Sequence, residues 1–240
     1  MKSNSIPNSF FVHSVGYDEC KDWCLNKHYA HRMPPISYSF GLFNIQSELV
    51  GICTYGRPMA HPLIKNAFGG KFQECFYELN RLCINDELPR NTLSFFVAQT
   101  LKLLPKPMVI VSYADTSYHH HGYIYQATNW LYTGLSVPFK DYMVKGYENM
   151  HGGSIMDMVG RSDGKEGHLN KVQLLKEKFG EENVYMVDRP QKHRYFMFLG
   201  DKRQKREMLK ALTYGQQPYP KGDNQRYDSS YEPITQLRLF

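Results

Sequence analysis

The segment DECKDWCLNKHY (residues 18–29) alternates polar and apolar positions at a helical spacing, which predicts a short helix ending near Pro34-Pro35, where proline cannot continue it. The period then shortens. ISYSFGLFNIQ and LVGICTYG are rich in β-branched and aromatic residues and are separated by a polar turn around Ser47 and Glu48, so they read as a β-hairpin. Residues 69–75 read as a loop or strand start, and FYELNRLCI as a strand with Leu79, Leu82 and Ile84 among its apolar positions. DELPRNTLSFFVAQTLKLLP predicts a helix that starts near Pro89 or Asn91, carries Leu93, Phe96, Val97, Leu101 and Leu104 on one stripe, and stops at Pro105. MVIVSYAD (108–115) reads as a buried strand of the parallel type, and HHGYIYQATNWLYTG as a short helix closed by Gly134. Strand, helix, strand and helix at these spacings predict an α/β core over about residues 36–134.

Residues 138–168 have weak periodicity and read as a loop-rich insertion. LNKVQLLKEKFG is an amphipathic helix with Leu169, Val172, Leu175 and Phe179 on one side, VYMVD and HRYFMFLG are strands, and DKRQKREMLKAL is a helix with Met208, Leu209 and Leu212 toward a core. From Tyr214 the chain is expected to run extended over the surface. The organisation this suggests is one domain over 1–212 and a tail over 213–240. A length of 240 residues suits one or two cores, and no run approaches the roughly 18 to 20 apolar residues of a membrane helix. Five cysteines and no secretory leader pattern place the chain in a reducing, intracellular setting. The net charge of +6 is uneven: residues 161–240 hold 16 basic and 11 acidic side chains, which favours a polyanion partner for the C-terminal third.

Asp115 closes the strand VIVSYAD, and ligands bind outside the carboxyl ends of strands in open α/β sheets, so it is a candidate base or ligand; the competing reading is a helix N-cap. Tyr125 follows ten residues later, where it can fold back toward that strand end. His28, Tyr29, His31 and Arg32 form one polar cluster and His119, His120 and His121 another, which permits a two-histidine, one-carboxylate metal site or, more simply, solvent-facing histidines. Cys20 and Cys24 share a helix face rather than a zinc-site spacing. GxGxxG, GxxxxGK[ST], kinase and GxSxG patterns are missing, which removes support for dinucleotide, Walker-type, kinase and serine-hydrolase readings. Arg189, Lys192, Arg194, Lys202, Arg203, Lys205 and Arg206, interleaved with Tyr195 and Phe196, form a candidate phosphate-contacting surface, or a solvated helix face.

The ordered blocks HYAHRM (28–33), GICTYGRP (51–58), ELNRLCI (78–84), RNTLSFFVAQTLKLL, VSYAD (111–115), GYIYQATNW (122–130) and RYFMFLGDKRQKREMLKAL together resemble the bacteriophage Mom DNA-modification proteins, over about residues 20–212. The resemblance implies an acyltransferase-like α/β fold of the GNAT type, a mixed central sheet flanked by helices. It also implies conversion of adenine in duplex DNA to N6-carbamoylmethyladenine, which shields phage DNA from restriction in the cytoplasm of the bacterial host. Carried over residue by residue, it assigns His28, Tyr29, Asp115 and Tyr125 to catalysis. Asp115 would act as base, Tyr29 and Tyr125 would position the flipped adenine, and His28 would relay a proton or hold iron. It implies double-stranded DNA and a small-molecule donor as partners, the donor being acetyl-CoA or another acyl or glycyl carrier; the oligomeric state stays open, a homodimer included. The pyrophosphate loop of GNAT enzymes would fall at NDELPRN, where Asn91 and Thr92 at the helix start are the donor-binding candidates. That loop has no glycine, and Asp86 and Glu87 oppose an anion. A small-molecule N-acetyltransferase and a non-catalytic DNA-binding protein, with Asp115 only a cap, are the alternative classes.

Overall fold

A computed structural model describes residues 9–59, 62–148, 150, 152–159 and 167–222. The chain begins with strand β1 (Phe10–Ser14) and helix α1 (Tyr17–Asp22), which runs on as a π-turn over Trp23–Lys27. Then come β2 (Tyr38–Asn44), β3 (Leu49–Gly56), α2 (Pro62–Phe68), β4 (Phe76–Ile84), α3 (Thr92–Leu103), β5 (Met108–Asp115), α4 (Tyr123–Ala127) and β6 (Leu131–Leu135). β7 (Phe139–Val144), α5 (Gly152–Asp157), α6 (Gly167–Phe179) and β8 (Val184–Arg189) follow, before β9 (Lys192–Leu199) and α7 (Lys202–Ala211) close the regular structure.

Seven strands form a mixed sheet in the order β1-β2-β3-β4-β5-β9-β6, and only β4 and β5 are paired in parallel. Helices flank both faces, the mixed α/β architecture that the resemblance implies. Alternation along the strands separates the two cores. Met108, Ile110 and Ala114 of β5 pack with Phe96, Val97 and Leu101 of α3 and Tyr125 of α4, whereas Val109 and Val111 pack with Phe68 of α2 and Met208 of α7. Cys20, Trp23 and Cys24 fill a third cluster against Phe43, Leu49 and Ile52. The cysteines are therefore core residues, with thiols pushed up by burial to about 12 at Cys20 and Cys53 and about 11 at Cys24.

Several sequence expectations change. β1 and α2 had no prediction, and each is a single short element with little room to display a period. The helix expected up to Gly134 stops at Ala127, where Thr128 turns its hydroxyl onto the carbonyl of Ile124 (2.7 Å) and Asn129 adopts φ 60°. LYTGL then pairs with β9 as β6. Leu209 is 51% exposed, since the buried stripe of α7 runs through Met208 and the half-buried Leu212. The tail after Tyr214 is extended as far as the described residues go: Gln217 N–H donates to Tyr132 O (3.0 Å) and Tyr219 hydroxyl to Trp130 O (2.7 Å). Residues 223–240 of that expected tail lie outside the described residues.

Two compact units appear, residues 1–135 with 192–240, and residues 136–191. The second unit is wider than the loop-rich insertion expected over 138–168, because β7 recruits β8 into its own two-stranded antiparallel sheet, from Phe139 against Arg189 to Val144 against Val184. Val144, Ile155 and Leu175 are its buried centre. Part of that span, residues 149, 151 and 160–166, lies outside the described residues.

Candidate active site

The parallel ladder between β4 and β5 is short. It registers Phe76 with Val109, Tyr77 with Ile110 and Glu78 with Val111, and then the strands part. Beyond that point a side chain replaces the backbone ladder: the Ser112 hydroxyl donates to Leu79 O (2.8 Å) and is hydrogen-bonded to the Tyr125 hydroxyl (2.7 Å). Tyr125 thereby reaches the parting of the strands from the α3/α4 face. It is buried, and burial pushes its phenol well above the ordinary range. Gly122, at φ 72°, starts α4, and any Cβ there would collide with the Tyr195 ring, so the turn that aims Tyr125 requires glycine.

On the opposite face, alternation brings Glu78 of β4 and Asp115 of β5 to the same side, joined after the bulge at Asn80 by Arg81. Asp115 stands opposite Lys192 in the β5–β9 register, and Lys192 Nζ is 2.6 Å from its Oδ2. Asp115 Oδ1 accepts from Ser117 N–H (3.0 Å) and from Ser117 Oγ (2.6 Å), capping the single turn Thr116–Tyr118. Burial raises the carboxyl, but the hydrogen bonds of Lys192 and Ser117 and the lysine charge outweigh it and hold the group below the ordinary carboxylate range. The cap and the ion pair therefore account for both oxygens. The capping role expected as the competing reading is thus present beside the ion pair.

His28 and Tyr29 leave the π-turn, whose closing bond runs from His28 N–H to Trp23 O (2.8 Å). His28 is buried, and its Nδ1 accepts from Ala30 N–H (3.1 Å). Burial, then the charges of Arg81, His31 and Lys192, hold it well below the ordinary histidine range, so it is neutral at pH 7. Its ring stacks on Tyr29 at 4.3 Å, and Tyr29 in turn meets Tyr118 at 4.8 Å and His120 at 6.3 Å. Burial and the Asp115 charge push the Tyr29 phenol up to about 12, so it stays protonated at neutral pH. Sequence reasoning missed Glu78, Arg81, Ser112 and Tyr118. The one available signal was the polar set Glu78, Asn80 and Arg81 inside the strand-like run FYELNRLCI.

Around the start of α3, a cleft of about 450 Å³ is lined by Asn91, Ser94, Phe95, Ala98, Leu101, Ala127, Thr128 and Asn129. Of the two donor-binding candidates, Asn91 lines this cleft, whereas Thr92 is buried, its N–H (3.1 Å) and hydroxyl (2.7 Å) both donating to Pro89 O. Asp86 is not a free opposing charge either, because Lys27 Nζ lies 2.7 Å from its Oδ2.

The basic run is divided by the fold. Arg189 belongs to the second unit and faces Asp141 (3.5 Å). Lys192 serves the Asp115 pair. Arg194 is buried, donating to Thr133 Oγ1 (3.0 Å) and Thr133 O (3.1 Å) under the Tyr214 ring at 3.6 Å. Lys202, Arg203, Lys205 and Arg206 remain exposed on α7. Iron at His28 finds no support: no group of three or more His, Cys, Asp or Glu side chains comes together as a metal site among the described residues. The field of Arg81 and Lys192 around His28 also opposes a cation.

The Mom protein family model matches residues 9–221. The chain belongs to the Mom protein family. Methylcarbamoylase mom of Escherichia phage Mu is 27% identical to this Mom-family chain over 203 residues, covering 81% of this chain and 77% of that one. Two solved structures are also similar. One is a suggested acetyltransferase from Acinetobacter baylyi ADP1, with TM-score 0.42 and 12% identity over 79% of this chain and 93% of that one. The other is an N-acetyltransferase from Staphylococcus aureus Mu50, with TM-score 0.41 and 10% identity over 79% and 98%. Among the described residues no helix is long and apolar enough to cross a membrane.

Proposed function

We propose that this Mom-family chain modifies adenine in double-stranded DNA, giving N6-carbamoylmethyladenine and shielding phage DNA from restriction in the bacterial cytoplasm. The observation that carries the reading is the family match over residues 9–221, together with the name methylcarbamoylase of its phage Mu relative.

The chemistry needs an amine made reactive. The N6 lone pair of adenine is delocalised into the ring, so its proton must leave as the new nitrogen–carbon bond forms. Reaching that amine in a duplex requires turning the base out of the stack. The rings of Tyr29, Tyr118 and His120 offer an aromatic wall for the extruded base, and the protonated Tyr29 phenol a hydrogen bond to its edge. Asp115 keeps Lys192 and the Thr116–Tyr118 turn in place. Tyr125 and Ser112 fix the parting of β4 and β5 from the other face. An acyl or glycyl donor, acetyl-CoA being the form the family resemblance suggests, would be held along the Asn91–Ser94–Ala98 side of the cleft. There the positive N-terminal end of α3 suits an anionic group, and Lys27 offsets Asp86. Transfer from that donor must deliver a methylene carbon bearing the carboxamide, since simple acyl transfer would leave an N6 amide. Lys202, Arg203, Lys205 and Arg206 hold flanking phosphates.

Mass spectrometry of nucleosides from the DNA of cells expressing the chain tests this. An adenine heavier by a carbamoylmethyl group is expected, absent from cells with an empty vector. Unmodified adenine beside soluble, folded protein in a host infected by a related phage, which supplies the natural donor, would refute it.

A further inference from the structure

We propose that Glu78, not Asp115, takes the proton from the attacking N6 amine. The inference rests on the adenine-modification reading above. Glu78 occupies the last register position before β4 and β5 part, so its side chain stands at the mouth of the opening between the two faces of the sheet. It shares a face with Asp115, Lys192 and Arg81, the side that Tyr29 and Tyr118 border. It also differs from Asp115 in one decisive respect. Among the described residues the Glu78 carboxylate is engaged by no hydrogen bond or ion pair, whereas both Asp115 oxygens are taken. A half-buried carboxylate without a partner is costly to the fold, and such groups are retained where chemistry uses them.

The electrostatics agree with that role. Burial pushes the Glu78 carboxyl up to about 7, while Arg81 on its own strand and Lys192 on β9 pull it down. The other titratable groups in its field, Tyr29 after the π-turn, Tyr113 on β5 and Tyr125 on α4, are phenols that burial keeps neutral. A base with a value near the working pH combines a useful ionised fraction with real proton affinity, which the ion-paired Asp115 lacks. In the step itself the N6 lone pair forms a bond to the donor carbon. For a carbamoylmethyl donor that carries a leaving group on its methylene carbon, the bond from that carbon to the leaving group breaks, and the leaving group departs with its electron pair. The N6 proton passes to a Glu78 oxygen and then to solvent.

The test compares cells expressing the wild type, Glu78→Gln and Glu78→Asp. Modified adenine is expected to fall about 100- to 10,000-fold in Glu78→Gln, within the range that general bases contribute, and to be partly restored in Glu78→Asp. DNA binding by purified Glu78→Gln is expected to match the wild type. Wild-type levels of modified adenine in Glu78→Gln would overturn the assignment and leave the adenine reading intact. If the wild type itself makes none, the adenine reading fails instead. Infrared difference spectra of the purified proteins, from pH 5.5 to 8.5, give a readout independent of both donor and activity. A carboxylic acid band titrating near pH 7 should be present in the wild type and missing from Glu78→Gln. Its absence from the wild type, or its persistence in the variant, would likewise overturn the assignment. Should Glu78→Gln not fold, the wild-type band and the Glu78→Asp activity still decide.

Discussion

Two carboxylates share one sheet face in this site, and their surroundings push them in opposite directions. Asp115 is held ionised by Lys192 and Ser117, so its contribution to stability is present above the unfolded value near 3.8 and is lost as pH falls through the lower folded value. Asp115→Asn should therefore destabilise the protein by roughly 2 to 4 kcal/mol at neutral pH, because it leaves Lys192 without its partner in a mostly buried pair. Thermal melts across pH should show that deficit shrinking as pH falls below about 4, where the carboxyl of the unfolded wild type begins to protonate, and disappearing below the lower folded value. Modified adenine should also fall, through the displaced turn Thr116–Tyr118. Glu78 has the reverse sign. Its folded value of about 7 lies above the ordinary 4.5, so its contribution is full below pH 4.5 and is lost as pH rises to 7. Glu78→Gln should accordingly raise stability at pH 8 by roughly 2 kcal/mol, after discounting for partial solvent screening, and change little at pH 4.5. A pH-independent difference in melting would show that Glu78 is not the group that titrates.

At the scale of elements, function follows from where regular pairing stops. The π-turn after α1 delivers His28 and Tyr29 together, and the three-residue parallel ladder leaves β4 and β5 open where Ser112 and Tyr125 bridge them. α7 works differently, as an amphipathic rod. Met208 anchors its inner side, Asp201 caps its start by accepting from Gln204 N–H (2.8 Å), and its basic residues face water. Replacing Lys202, Arg203, Lys205 and Arg206 with alanine removes no buried contact, so the fold should persist. If all four meet phosphates, the slope of log affinity against log salt should fall by roughly 3 to 4. A salt slope equal to that of the wild type would place the DNA on another surface.

Across the whole molecule, the second unit is an insertion between neighbouring strands. β6 and β9 pair antiparallel, with Leu135 opposite His193, so the chain leaves and re-enters the sheet at one hairpin end. Among the described residues, the clusters that fill the first unit are built from that unit's own side chains. Replacing those residues with a short glycine-containing turn should therefore leave the seven-stranded sheet able to fold. Circular dichroism and a single cooperative melt would check this, and a molten, non-cooperative protein would show that the sheet needs the insertion.

Local pattern was enough to place β2, β3, β4, β5, α3 and β9, because each is long, bounded by turn or proline signals and strongly apolar on a regular period. The same residues carried the family resemblance, and with it Asp115, Tyr125, His28 and Tyr29. What pattern could not supply was partnership across the chain. LYTGL reads equally well as the end of a helix, and only pairing with β9 makes it a strand. VYMVD reads as a strand with no partner named, and only pairing with β7 places it in the second unit. Arg194 and Lys192 read as phosphate ligands until Thr133, Tyr214 and Asp115 are seen to hold them. Glu78 was one of three polar letters, with Asn80 and Arg81, in a strand otherwise apolar or aromatic; its place at the parting of β4 and β5 depends on a register with residues more than thirty positions away. Periodicity is a property of neighbours in sequence, whereas charge state and accessibility are set by neighbours in space. The sequence therefore determined the elements and the family, and the tertiary structure decided which of its charged groups are anchored and which one is open to react.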